Sequence, residues 1–142
     1  MKEKVLLVDD EKAFVDTLAE RLRNRGMAVS TTGSPVEALA RTEEEEFDAV
    51  ILDLAMPEMD GIETLSRMKK KNPDLQVILL TGQASVEKGI AAMKLGAMDF
   101  LEKPIDLSKL SERIKKAHVR KMVILEKRME KKIKGIMGAK GW

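Results

Sequence analysis

The chain has 142 residues, of which 44% are hydrophobic and 3% aromatic; there is no cysteine and a single histidine, His118. This is enough apolar material for the core of one domain, and it excludes wholesale disorder, disulfides, thiolate chemistry and any metal site built on paired histidines. The formal net charge of +2 hides a division: residues 1–102 carry 13 Lys or Arg against 20 Asp or Glu, whereas residues 103–142 carry 13 against 4.

In chain order, Val5–Val8 is a continuous apolar run and predicts a buried strand. Phe14, Leu18 and Leu22 recur at helical spacing, with Gly26 as a stop signal. Met27–Thr31 is a weaker strand candidate. Ser34-Pro35-Val36-Glu37 has the form of a capping box with proline at the first helical position, and Glu43–Glu46 reads as a solvated helix end. Ala49–Leu52 predicts a second buried strand. Asp60-Gly61-Ile62-Glu63 opens another helix, which Asn72-Pro73 ends. Val77–Leu80 is a third apolar run, Ser85–Leu95 a helix with Gly96 as its stop, and Asp99–Glu102 a short strand. The last helix begins near Asp106 or Leu107. Five strands thus alternate with five helices, which argues for a doubly wound parallel sheet with helices on both faces. Ligands of such sheets sit beyond the carboxyl ends of the strands. The N-terminus MKEKVLLVDD has no cleavage-site pattern and no apolar run approaches membrane-spanning length, so a cytoplasmic protein is expected.

Asp9, Asp10 and Glu11 follow the first strand, and Asp53 follows Val50-Ile51-Leu52. Acids that open helices offset the helix dipole, which accounts for Glu11. Asp53 is followed by Leu-Ala-Met-Pro and no helix. Carboxylates gathered in one crevice repel unless a cation joins them, and an all-oxygen set suits Mg²⁺. Thr81-Gly82 and Lys103-Pro104 stand at the ends of two further strands. Acids, hydroxyl and ammonium at one sheet edge suit phosphoryl transfer, where positioning and charge neutralisation dominate.

Over about residues 3–119 the chain resembles the receiver domain of two-component response regulators. The residues that carry the resemblance are Asp9-Asp10, Asp53 with Met56-Pro57 and Asp60-Gly61, Thr81-Gly82, and Phe100 with Lys103-Pro104. The stretch Met93-Lys94-Leu95-Gly96-Ala97 is similar to receivers of the nitrogen-regulation type. The resemblance implies strand order 2-1-3-4-5 with five flanking helices, and Asp53 as acceptor of a phosphoryl group from a sensor histidine kinase. It implies Mg²⁺ held by Asp10, Asp53 and the Ala55 carbonyl, with Asp9 reaching it through water. Lys103 and Thr81 would contact the phosphoryl oxygens, and the Lys103–Pro104 bond would be cis. Thr81 and Phe100 would form the switch, Phe standing where Tyr is more usual. The protein would then be a phosphoacceptor that assists its own phosphorylation and dephosphorylation, not an enzyme in the ordinary sense.

A small Mg²⁺-dependent aspartyl-phosphate phosphatase or phosphotransferase is the alternative, but Asp53-Leu54-Ala55 lacks a second acid and no insertion is long enough for a lid. The expected division is a receiver at 1–119 and a basic amphipathic helical extension at 120–142. No recognisable effector domain follows, so either a stand-alone receiver or a piece of a longer regulator is expected, with a downstream protein target or a missing effector domain as its output. Leu107, Leu110, Ile114, His118, Met122, Leu125, Met129, Ile133 and Ile136 recur every three or four residues, a helical stripe. Gly135 and Gly138 are expected to end it. The first four positions pack on the sheet, which makes His118 a boundary residue, and the rest await a partner. A homodimer through this helix comes first, nucleic acid or an anionic membrane surface after it.

Overall fold

The computed structural model describes residues 2–82 and 86–139. Strands β1 (Lys4–Val8), β2 (Ala28–Thr32), β3 (Ala49–Asp53), β4 (Val77–Thr81) and β5 (Asp99–Glu102) alternate with helices α1 (Lys12–Asn24), α2 (Pro35–Glu44), α3 (Gly61–Lys71), α4 (Val86–Lys94) and α5 (Leu107–Ala139). All neighbouring strands are parallel, in the order β2-β1-β3-β4-β5. The expected β2 lies one residue later than its sequence pattern suggested. Met27 is buried ahead of the strand instead of forming its first pair. Ser85, expected to open α4, lies outside the described residues.

The period-2 alternation of each apolar run divides the core. Val5, Leu7, Ile51, Ile78 and Leu80 face α1 and α5, packing on Leu18, Leu22, Leu110 and Ile114. Leu6, Val8, Leu52, Val77 and Leu79 face α2, α3 and α4, packing on Ala38, Leu65, Met68 and Ala92. Burial on both faces explains why these strands read as unbroken hydrophobic runs.

Local signals act as expected, with two differences. Ser34 Oγ accepts from the Glu37 N–H at 3.2 Å and Asp60 Oδ1 from the Glu63 N–H at 2.8 Å, so both caps form. At Ser34 the return half of the box is replaced: its N–H donates to Thr32 Oγ1 at 3.2 Å. Gly26 and Gly96 end their helices at φ of +91° and +98°, a conformation that glycine adopts without steric cost. Gly135 and Gly138, by contrast, do not stop α5, which runs 33 residues through both to Ala139. A glycine inside a helix costs about 1 kcal/mol, which weakens a helix without terminating it.

The Glu43–Glu46 run is more than a solvated end. Glu43 pairs with Lys71 at 3.6 Å, Glu45 with Lys4 at 3.2 Å and Glu46 with Lys121 at 3.6 Å. Among the described residues no helix is long and apolar enough to cross a membrane.

Candidate functional site

The parallel register carries four polar side chains to one edge of the sheet. Val8 is level with Leu52, Asp53 with Leu80, and Thr81 with Glu102. The ladder continues past the strands, through Asp9 N–H to Thr32 O at 3.1 Å and Lys103 N–H to Thr81 O at 2.7 Å. Asp9, Asp53 and Thr81 are each buried, with 4–6% of their surface exposed, while Asp10 faces solvent. One carboxylate oxygen from each of Asp9, Asp10 and Asp53 lies within 4.8 Å of the others.

Lys103 reaches into this cluster from the β5–α5 connection, where its bond to Pro104 is cis. Its Nζ lies 2.9 Å from Asp9 Oδ2, 3.8 Å from Asp53 Oδ1 and 3.9 Å from Glu11 Oε1. Burial works against the ammonium, but the Asp9 hydrogen bond and the Asp53 and Glu11 charges outweigh it and raise its pKa. Asp9 also accepts the Glu11 N–H at 2.9 Å. Asp53 is in the opposite situation. Burial, followed by the Asp9 charge, pushes its carboxyl up to about 6, against the smaller pull of Lys103 and the Ala55 N–H. One ammonium is shared among Asp9, Asp53 and Glu11, and it lies closest to Asp9. Such a set fits a hard divalent cation, whose charge would offset the burial and the repulsion that lift Asp53. Ala55 stands beside the acids, its N–H 3.4 Å from Asp53 Oδ1.

Two further residues shape the site, and the residue pattern alone had assigned neither a role there. Phe14, expected in the core stripe of the first helix, is only partly buried; its ring lies beneath the Lys103 ammonium, 4.2 Å from centroid to Nζ. This cation–π contact helps to hold the lysine in place beside the acids. Nothing in the spacing of α1 signals it, because Lys103 is 89 positions away in sequence. Gly61 opens α3 where a Cβ would lie 2.6 Å from Leu54 Cα and 2.7 Å from the Asp53 carbonyl oxygen. Its N–H donates to Leu54 O at 2.7 Å, so the helix start is sealed onto the strand end that presents Asp53. The Asp60-Gly61 pair was legible as a motif; the close approach that demands glycine was not.

Of the two expected switch residues, Thr81 ends β4 beside the acids, and Phe100 lies on β5 with its ring over Gly89 of α4. A Cβ on Gly89 would stand 3.7 Å from Phe100 Cδ1. The structure thus brings Asp9, Asp10, Asp53, Ala55, Thr81 and Lys103 to one crevice and sets the Phe100 ring against α4.

A family profile described as response regulator receiver domain matches residues 5–115. The transcriptional regulatory protein ZraR of Salmonella typhimurium is 41% identical over 113 residues, which cover 80% of this chain and 26% of that protein. The chain therefore spans about a quarter of the length of that curated relative. Among solved structures, the beryllofluoride-activated NtrC4 receiver domain dimer superposes with a TM-score of 0.78 at 35% identity, covering 83% of this chain and 98% of that one. A response regulator from Burkholderia pseudomallei with a phosphorylated aspartic acid, calcium ion and citrate superposes at 0.75 and 26% identity, covering 99% and 86% of the two chains.

Proposed function

We propose, from the premise that this chain belongs to the response regulator receiver domain family of two-component systems, that Asp53 accepts a phosphoryl group from a sensor histidine kinase. The observation that carries this reading is the convergence of Asp9, Asp10, Asp53 and Lys103 at one strand edge. The Burkholderia neighbour, with its phosphorylated aspartate and bound cation, supports it. Asp53 Oδ forms the new P–O bond as the donor's P–N bond breaks, and the donor imidazole keeps the electron pair. Lys103 is 3.8 Å from Asp53 and sits on its ring support, so its ammonium meets the incoming phosphoryl oxygens with little rearrangement. The transferred group brings about −1.5 to −2 charge into the crevice, and the Thr81 hydroxyl donates to it once it arrives.

Asp10, Asp53 and the Ala55 carbonyl would hold Mg²⁺, with Asp9 reaching it through water. Bound there, the ion supplies charge neutralisation for an anionic nucleophile meeting an anionic phosphoryl group. The chain is a phosphoacceptor that assists its own modification and not an enzyme with a separate substrate. A groove lined by Phe14, Leu18, Arg21, Pro104 and Ile105 runs up to Lys103 and gives a protein donor an apolar landing beside the acids. Thr81 and Phe100 couple the crevice to α4, whose outer face exposes Ile90 and Met93. Output passes to a downstream protein or an effector domain. Residues 1–119 are the receiver body, and the extension from 120 onward is a self-association helix.

Acetyl phosphate with Mg²⁺ is expected to label the full chain, Asp53→Asn to abolish labelling, and Lys103→Ala to impair it while Mg²⁺ binding persists. Equal labelling of Asp53→Asn and wild type would sink the assignment. On addition of beryllofluoride with Mg²⁺, amide shifts are expected along α4 and β5; shifts confined to the crevice exclude the Thr81–Phe100 switch.

A further inference from the structure

Lys103 is held by two contacts of different physical kind. Its backbone is fixed, since the Lys103 N–H donates to Thr81 O at 2.7 Å, but a lysine side chain is flexible and has much rotamer freedom to lose. Carboxylates draw the ammonium by charge, Asp9 at 2.9 Å, Asp53 at 3.8 Å and Glu11 at 3.9 Å. The Phe14 ring draws it by the negative face of an uncharged π system, with its centroid 4.2 Å from Nζ. Only 16% of the Lys103 side chain is exposed, so the ring contact is largely sheltered from water, where cation–π attraction is stronger.

These contacts respond differently once the acids are answered by a divalent cation. The cation's charge offsets the pull of Asp9 and Asp53 and repels the ammonium. Glu11, whose side chain is 68% exposed, then offers the lysine a way out toward solvent. The attraction of the ring does not depend on the carboxylate charges and persists.

We infer that Phe14 is a positioning residue for phosphoryl transfer: in the cation-loaded site its ring, more than the carboxylates, keeps the Lys103 ammonium beside Asp53, and the electrostatics of that ring set how fast Asp53 is phosphorylated. The inference rests on the reading of Asp53 as phosphoacceptor and deepens it. The opposite end of the sheet supplies a comparison. There the Lys4 ammonium stands 5.3 Å from the centroid of the buried Phe47 ring and pairs with Glu45 at 3.2 Å, the same kind of contact far from the crevice.

The test changes the charge distribution of the ring and keeps its shape nearly constant. Phe14 of the full chain is replaced site-specifically by phenylalanines bearing successively more ring fluorines, which withdraw electron density from the face. Labelling by acetyl phosphate with Mg²⁺ is expected to slow step by step, toward the roughly two- to fivefold loss expected of Phe14→Leu, while Phe14→Tyr keeps the wild-type rate. The same fluorinated residues at Phe47 are expected to leave labelling unchanged. Packing alone is insensitive to this series, so equal rates across the fluorinated Phe14 variants overturn the proposal. Equal slowing at Phe47 marks a general effect of fluorine and overturns it as well.

The Lys103 ammonium resonance gives a readout that needs no phosphoryl donor. On addition of Mg²⁺ it is expected to stay sharp in wild type and to broaden further in Phe14→Leu; the same response in both chains overturns the proposal. If Asp53→Asn labels like wild type, the phosphoacceptor reading falls and this inference with it. If Asp53→Asn loses labelling while the fluorinated series is flat, only the role of Phe14 falls.

Discussion

The two ends of the sheet both carry buried acids, and they treat them in opposite ways. At the carboxyl end, Asp9, Asp10 and Asp53 crowd together, one ammonium reaches Asp9 and Asp53, and Asp53 is left with a carboxyl pushed up to about 6. At the amino end, Asp48 is answered on both oxygens. Oδ2 accepts the Lys4 N–H at 2.7 Å, and Oδ1 faces His118 at 2.8 Å and Lys121 at 3.8 Å. One end is a crowded anion cluster; the other is a finished joint that orients α5. A buried acid is a candidate for function where neighbouring acids and burial outweigh the partners it has.

The sharpest way to break this comparison is the same substitution at both ends. Asp53→Asn removes a carboxylate that the fold disfavours. In metal-free buffer at pH 7 it is expected to stabilise the domain by up to about 3 kcal/mol, the equivalent of a two-unit pKa elevation. The sign follows from the shift. With a folded pKa of about 6 against an ordinary 3.8, wild type loses stability relative to the variant as pH rises from about 4 to 6, and the gap closes below pH 4. Urea melts across that range, with and without Mg²⁺, check both statements, and Mg²⁺ is expected to restore wild type. If the gap persists below pH 4, charge crowding is not its cause.

Gly61→Ala is expected to cost about 2 kcal/mol, because its Cβ would meet Leu54 Cα and the Asp53 carbonyl. Labelling by acetyl phosphate should slow as well, since the strand end that presents Asp53 must shift. Normal stability with normal labelling would remove Gly61 from the site's framework.

Asp48→Asn, the mirror of the first test, is expected to destabilise by about 1–2 kcal/mol, as the hydrogen bond with His118 and the ion pair with Lys121 are weakened. Hydrogen exchange should report the loss first along residues 117–128. A stabilising result would erase the contrast between the two ends.

The smallest expected effect is at Phe14. Phe14→Leu removes the ring under Lys103, a contact worth about 0.5–1 kcal/mol, and leaves the acids in place. The Lys103 ammonium resonance is expected to move and broaden, with Phe14→Tyr restoring it. An unchanged resonance would make Phe14 merely a core residue.

Much of this was legible in the residue order. Val5–Val8, Ala49–Leu52 and Val77–Leu80 are strands because continuous apolar runs need burial on both faces. Ser34, Asp60, Gly26 and Gly96 mark helix ends because capping and left-handed backbone are local chemistry. The acids, Thr81 and Lys103 announced themselves by lying just after strands. Gly135 and Gly138 misled because a glycine's cost is only a local penalty, overridden within a long helix. The partners of the Glu43–Glu46 run and the place of Phe14 were invisible because they depend on residues far away in sequence.

What the sequence determined alone, then, is whatever depends on a window of a few residues: the periodicities, the caps and the types of group delivered to strand ends. Only the tertiary structure decided how charge is shared. Lys103 sits nearest Asp9 and not Asp53, and Asp48 is hydrogen-bonded on both oxygens by Lys4 and His118. Coulomb energies depend on separations and burial set by the packing of β1, β3, β5 and α5 against one another. No spacing along the chain encodes those separations.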